Sequence, residues 1–206
     1  MPAIRSRITS QTLDVRTLGG LFARGNIPTA GGVVTVPVGS QCSLFLDQIN
    51  ANVTSGVGGG VTLADANGFG GRVPNGEYWT IFGFQVGIFE VTAAGLPVAS
   101  APAVAEGIAQ QLTMTINMKG QTYNMGSVQP MPCGLGTNTL AMNGGRAVAP
   151  FRFNPRLPIA LNPMDQWFLT FATTRVITLS AIGNQIELFV YMPASKSIKI
   201  GQLSGA

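Results

Sequence analysis

The residues able to do chemistry are few and widely spaced. The chain of 206 residues contains no histidine, which removes the commonest general base and the commonest metal ligand together. Its carboxylates are Asp14, Asp47, Asp65, Glu77, Glu90, Glu106, Asp165 and Glu187, and no two stand at close spacing. Two of them can still meet in space, as a glycosidase requires, but the spacing singles out no pair. Cys42 and Cys133 are the only cysteines, with no CxxC spacing that would suggest metal or redox work. They read as thiols, although a disulfide between them stays open. Neither has an imidazole to activate it, and no Gly-x-Ser-x-Gly elbow occurs. The glycine cluster from Ser55 to Gly60 lacks the Lys-Ser/Thr ending of a phosphate-binding loop. The expectation is a protein that is not an enzyme, with no catalytic, metal-binding or cofactor-binding residues and no small-molecule substrate.

Charge points to surfaces instead. Only 10% of the residues are charged and 46% are hydrophobic, against about 25% charged in ordinary soluble domains. So few charges leave little to keep copies apart, and much of the surface is expected to be covered by partner chains. The net charge of +4 is concentrated near the start, where Arg5, Arg7, Arg16 and Arg24 face Asp14 alone. That segment suits weak contact with nucleic acid, an anionic membrane or an acidic patch on a partner. It is too sparse for a polybasic tract, and docking on a neighbouring subunit is an equal alternative. Lys196 and Lys199 mark a second contact segment at the other end. The N-terminus lacks the apolar stretch of a signal peptide, and the uncharged run from Gly25 to Leu46 is broken by prolines and glycines, so the product reads as cytoplasmic at synthesis.

The elements between these ends are strands. Tyr78–Thr92 is the long aromatic stretch most nearly free of charge, with Glu90 its one ionisable carboxylate and large apolar groups at both parities, so it is expected to need cover on both faces. Gly83 and Gly87 within it leave room for a neighbouring side chain or permit a bulge. Leu112, Met114, Ile116 and Met118 alternate with Thr113, Thr115 and Asn117, and Lys119-Gly120 turns that strand into a hairpin partner over Gln121–Met131. Trp167, Leu169 and Phe171 form a further face, and Gly183-Asn184 turns into Ile186–Met192, where Pro193 is expected to stop the sheet. Short strands are also expected over Val33–Val38 and Ser43–Ile49. Trp79 and Trp167 read as core rather than as a sugar-stacking platform.

Many short strands separated by Gly/Pro turns predict an all-β, two-sheet antiparallel β-sandwich. Its divisions are an extended N-terminal arm over residues 1–30, a body over 31–192 and a C-terminal tail over 193–206. The basic arm, this body, its Gly/Ala/Thr-rich loops and the aromatic strands Tyr78–Val91 and Trp167–Phe171 together resemble the single jelly-roll structural proteins of icosahedral bacteriophages and related viruses. The resemblance implies a jelly-roll type of sandwich and a capsid or capsid-accessory protein located in the virion. It implies that the partners are other copies of the chain and other capsid proteins, with the arm and tail locking neighbours together. The alternative from a different class is a carbohydrate-binding β-sandwich module, and a hydrolase stands third.

Overall fold

A computed structural model of the chain describes residues 14–29, 32–46, 66–68, 70–96, 98, 107–128, 133–135, 151–152 and 158–199. The architecture is all-β, built from several mainly antiparallel sheets, with one helical turn at residues 107–110. The strands are β1 (Asp14–Pro28), β2 (Thr35–Val36), β3 (Gln41–Leu44), β4 (Glu77–Ile81), β5 (Gly83–Val91), β6 (Leu112–Met118) and β7 (Gln121–Ser127). They continue as β8 (Cys133–Leu135), β9 (Phe151–Arg152), β10 (Ile159–Leu161), β11 (Trp167–Thr173), β12 (Ile177–Thr178) and β13 (Gln185–Lys199).

Two sheets carry the core. In the larger, β1 pairs β13, and β13 pairs β4 and β5, which run end to end as one line. The far side of that line is taken by three short pieces: β10 against β4, β9 against the start of β5, and β8, parallel, against its middle. The smaller sheet has the order β3-β11-β6-β7, and β2 pairs β12 separately. One buried cluster joins the two, with Leu21, Ile27, Ile88 and Leu188 from the larger sheet and Cys42, Met114, Leu169 and Phe171 from the smaller. This is a sandwich-like arrangement, each sheet burying one face.

The β4–β5 line explains why the sequence shows apolar residues at both parities. Its register with β13 slips by one residue at Phe82–Gly83: Ile81 stands opposite Ala194, while Gln85 stands opposite Tyr191. One extra residue therefore lies in this line, a β-bulge, and it switches which parity faces inward. Trp79 and Ile81 point into the core before it, and Phe84, Val86 and Ile88 after it. Phe82, left at the bulge, is 37% exposed, whereas Phe84, two residues on, is 3% exposed. The expected cover on both faces is thus replaced by a change of face, at one of the two glycines expected to permit a bulge.

Two expectations about the chain ends are corrected. Residues 14–28 of the expected arm are a strand of the large sheet, with Leu21, Ala23 and Ile27 buried against β13 partners Met192, Val190 and Ile186. Nor does Pro193 end β13, which continues to Lys199 and so takes in the first residues of the expected tail. The proline is tolerated because of the bulge. Its carbonyl accepts from the Phe82 N–H at 2.9 Å, so its missing donor falls where the facing strand is already irregular. Residues 1–13 and 200–206 lie outside the described residues.

In the smaller sheet the alternation seen in the sequence is reproduced. Leu112, Met114 and Ile116 are buried beside Trp167, Leu169 and Phe171. Lys119 and Gly120 both have positive φ, 53° and 78°, which makes a two-residue type I′ hairpin turn into β7. The strand expected over Ser43–Ile49 instead begins earlier, at Gln41, because Cys42 and Leu44 are the residues that reach the core opposite Phe171 and Leu169.

Candidate interaction surfaces

The described carboxylates whose side chains are placed all serve local structure. Glu77 accepts from the Trp79 indole N–H at 2.6 Å, Asp165 accepts from the Asn162 N–H at 2.7 Å and pairs with Lys119 at 3.4 Å, and Glu187 pairs with Arg24 at 3.8 Å. Glu90 is the exception in its burial, being 1% exposed on the core side of β5. Its Oε1 accepts from the Ser180 N–H and Oγ at 2.7 and 2.5 Å and from Asn184 Nδ2 at 2.6 Å. Three donors on one oxygen tie the turn before β13 to the end of β5. Replacing Glu90 with alanine is expected to lower stability by about 2–3 kcal/mol, because the Ser180 N–H and hydroxyl and the buried Asn184 amide together lose a charged acceptor. Urea unfolding of the variant measures this. Among the described residues no group of three or more His, Cys, Asp or Glu side chains is gathered in a way that could hold a metal ion.

Of the expected basic contact residues, Arg24 and Lys196 are the two whose side chains are described. Arg5 and Arg7 lie outside the described residues. Arg16 and Lys199 take part through their backbones in the β1–β13 ladder, opposite Ser197 and Asp14, and nothing is described of their side chains. The Arg24 side chain is 44% exposed, and its long contact with Glu187 contributes little in water. Lys196 lies with Nζ 5.0 Å from the centre of the Trp79 ring, a cation–π contact that fixes the lysine over core structure.

What the sequence did not single out is the outer face of the large sheet. Phe22 on β1 stacks on Phe189 of β13, ring centres 6.4 Å apart and 26° from parallel. Tyr191 lies over Gly20, where a Cβ would clash with its ring. Gly87 makes similar room for the Phe89 ring, 3.0 Å from a Cβ placed there. Phe189 and Tyr191 are 37% and 36% exposed. The glycines were the available signal, but only the β1–β13 register places these rings side by side. Both tryptophans, by contrast, are buried, so neither offers a stacking face to a sugar.

The outer face of the smaller sheet is uncharged and hydroxyl-rich. Ser43 and Thr170 share a hydrogen bond of 3.1 Å, Asn117 Nδ2 donates to Thr170 Oγ1 at 3.2 Å, and Thr122 Oγ1 donates to Asn117 Oδ1 at 2.8 Å. This ladder crosses all four strands without an ionised group. No helix among the described residues is long and apolar enough to cross a membrane. No protein-family model matches the chain, and no curated protein matches it either.

Proposed function

We propose that the chain is a structural virion protein with a jelly-roll body, which associates with copies of itself or with other capsid proteins to build or decorate an icosahedral shell. The observation that carries this reading is the order of the strands. Let the β4–β5 line count as the third strand and β8, β9 and β10 together as the sixth. The pairs are then first with last (β1·β13), second with seventh (β3·β11), third with sixth, and fourth with fifth (β6·β7). That order supports the jelly-roll reading, in which an antiparallel ribbon is wound into two four-position sheets, as in capsid and lectin domains and in cupins. Among the described strands, the parallel pairing of β8 departs from it.

Fold alone does not give function. A cupin-type site built on histidine is excluded because the chain has none. The low charge supports a self-associating brick, since uncharged surfaces meet without the cost of desolvating ions. A carbohydrate-binding module is the second reading, favoured by the half-exposed rings of Phe22, Phe189 and Tyr191. Electron microscopy of the purified full chain under raised salt tests between them. Closed shells or regular arrays support the capsid reading, and dispersed monomers with saturable glycan binding replace it with the second. Changing Phe22 and Phe189 to serine together is expected to cost less than about 2 kcal/mol in folding, because both rings are only partly buried. Glycan titration of that variant checks the second reading directly, which requires the loss of binding.

A further inference from the structure

The sheet edges of this protein are treated unequally. The outer edge of β1 is occupied at its centre: Asn67 Oδ1 accepts from the Phe22 N–H at 2.8 Å, the Asn67 N–H donates to the Phe22 carbonyl at 3.1 Å, and its Nδ2 donates to the Gly20 carbonyl at 2.7 Å. The far edge of the large sheet is broken into short pieces, and β3, at one edge of the small sheet, is four residues long. Short or covered edges are the ordinary protection against edge-to-edge pairing. The other edge of the small sheet, β7, has seven residues without a charge or a proline, and no described strand pairs with its outer side. Its bulge, at Met125, protects only the far half. Gln121, Thr122, Tyr123 and Asn124 are all exposed.

The direction of the open groups follows from the ladder. The Lys119 N–H donates to the carbonyl of Gln166, the residue just before β11, so alternate residues Asn117 and Thr115 also turn their backbone groups toward β11. Met118 and Ile116 therefore bond to Gln121 and Tyr123, and the backbone N–H and C=O groups of Thr122 and Asn124 point away from the sheet. Two such groups flanking one residue are self-complementary about a twofold axis. An antiparallel copy places Thr122 against Asn124 twice, as bonded pairs, with Tyr123 of each copy meeting at the axis as the intervening non-bonded pair.

We infer that β7 is a homotypic docking edge, at which a second copy of this chain adds its own β7 antiparallel, centred on Tyr123, to fuse two small sheets into one. The occupant is a second copy because this edge carries no charge to select a different partner and because its register closes on itself. The inference rests on the self-association in the proposed function and names one of its surfaces. Backbone bonds supply the affinity, and the two Tyr123 rings, each now 43% exposed, cover one another.

Cysteine cross-linking of the full chain, in a Cys133→Ser background, tests the register. At the axis, Cα atoms of a non-bonded pair lie about 4.5 Å apart, within disulfide range, whereas the two Thr122 positions are diagonal and about 7–8 Å apart, outside it. Tyr123→Cys is expected to give mostly covalent dimer on mild oxidation, and Thr122→Cys at least tenfold less. Thr122→Pro, which removes an outward N–H that the sheet does not use, is expected to weaken dimerisation at least tenfold with an unchanged far-UV spectrum. Equal cross-linking at both positions, or particles that assemble while Tyr123→Cys stays uncross-linked, overturns the inference and leaves the capsid reading standing. Cross-linked dimers that never grow into larger assemblies support the inference and count against the capsid reading.

Discussion

Deletion of residues 1–24 is expected to unfold the protein, while deletion of residues 1–13 leaves its β fold intact. The reason lies in β1. Residues 14–24 supply eleven of the fifteen β1 positions paired to β13, and they include the buried Leu21 and Ala23. Removing them exposes Val190 and Met192 of β13, now fully covered, and leaves the ladder groups of β13 facing water. Burial of one leucine contributes about 1.5–3 kcal/mol, and each ladder hydrogen bond about 0.5–1.5 kcal/mol. Their sum over this strand exceeds the lower end of the roughly 5–15 kcal/mol that holds a typical domain folded. Circular dichroism and urea unfolding of the two truncations measure the difference. The shorter deletion is also the proper test of the arm, since it takes away Arg5 and Arg7 and keeps every described residue of the sheet. Under the capsid reading it impairs assembly of a folded protein.

The second large effect separates two phenylalanines that simple alternation puts on the same face. Phe84→Ala is expected to cost about 3–5 kcal/mol, as for a fully buried ring that leaves a cavity. Phe82→Ala is expected to cost about 1 kcal/mol or less, because that ring sits at the bulge, more than a third exposed. Urea midpoints at constant slope for the two variants read the contrast. Equal losses would mean that the strand is regular there and that the register with β13 does not slip.

How much of this was legible in the sequence depended on whether the inward residues were large and regularly spaced. The β6 and β11 strands were legible because Leu112, Met114 and Ile116, and Trp167, Leu169 and Phe171, recur at every second position, with Phe168 the one large apolar residue between them. The β6–β7 hairpin was legible because Lys119-Gly120 suits a tight turn. β1 was not, since the inward positions around its buried Leu21 and Ile27 include Ala23 and Gly25, which carry little hydrophobic signal. Its partner is also more than 150 positions away in sequence, and no local pattern announces a pairing of that length. The bulge hid for a different reason, as a parity switch inside an apolar strand looks the same as a strand apolar on both faces. Pro193 misled because a proline ends most strands, and only the bulge opposite makes it harmless.

The candidate surfaces were less legible still. The arginines drew attention by type, yet Arg24 is the one among them whose side chain is described, and it lies beside Glu187. The rings of Phe22, Phe189 and Tyr191 become a patch only through the β1–β13 register, and the edge position of β7 follows from there being no second partner for it among the described strands. Neither can be read from the residues alone.

The central claim is that this chain is a self-associating building block. Static light scattering of the full chain as its concentration is raised tests it most directly. The account predicts a mass that climbs from dimers to larger discrete assemblies. A mass that stays at the 21.5 kDa of one chain across the whole range would contradict it.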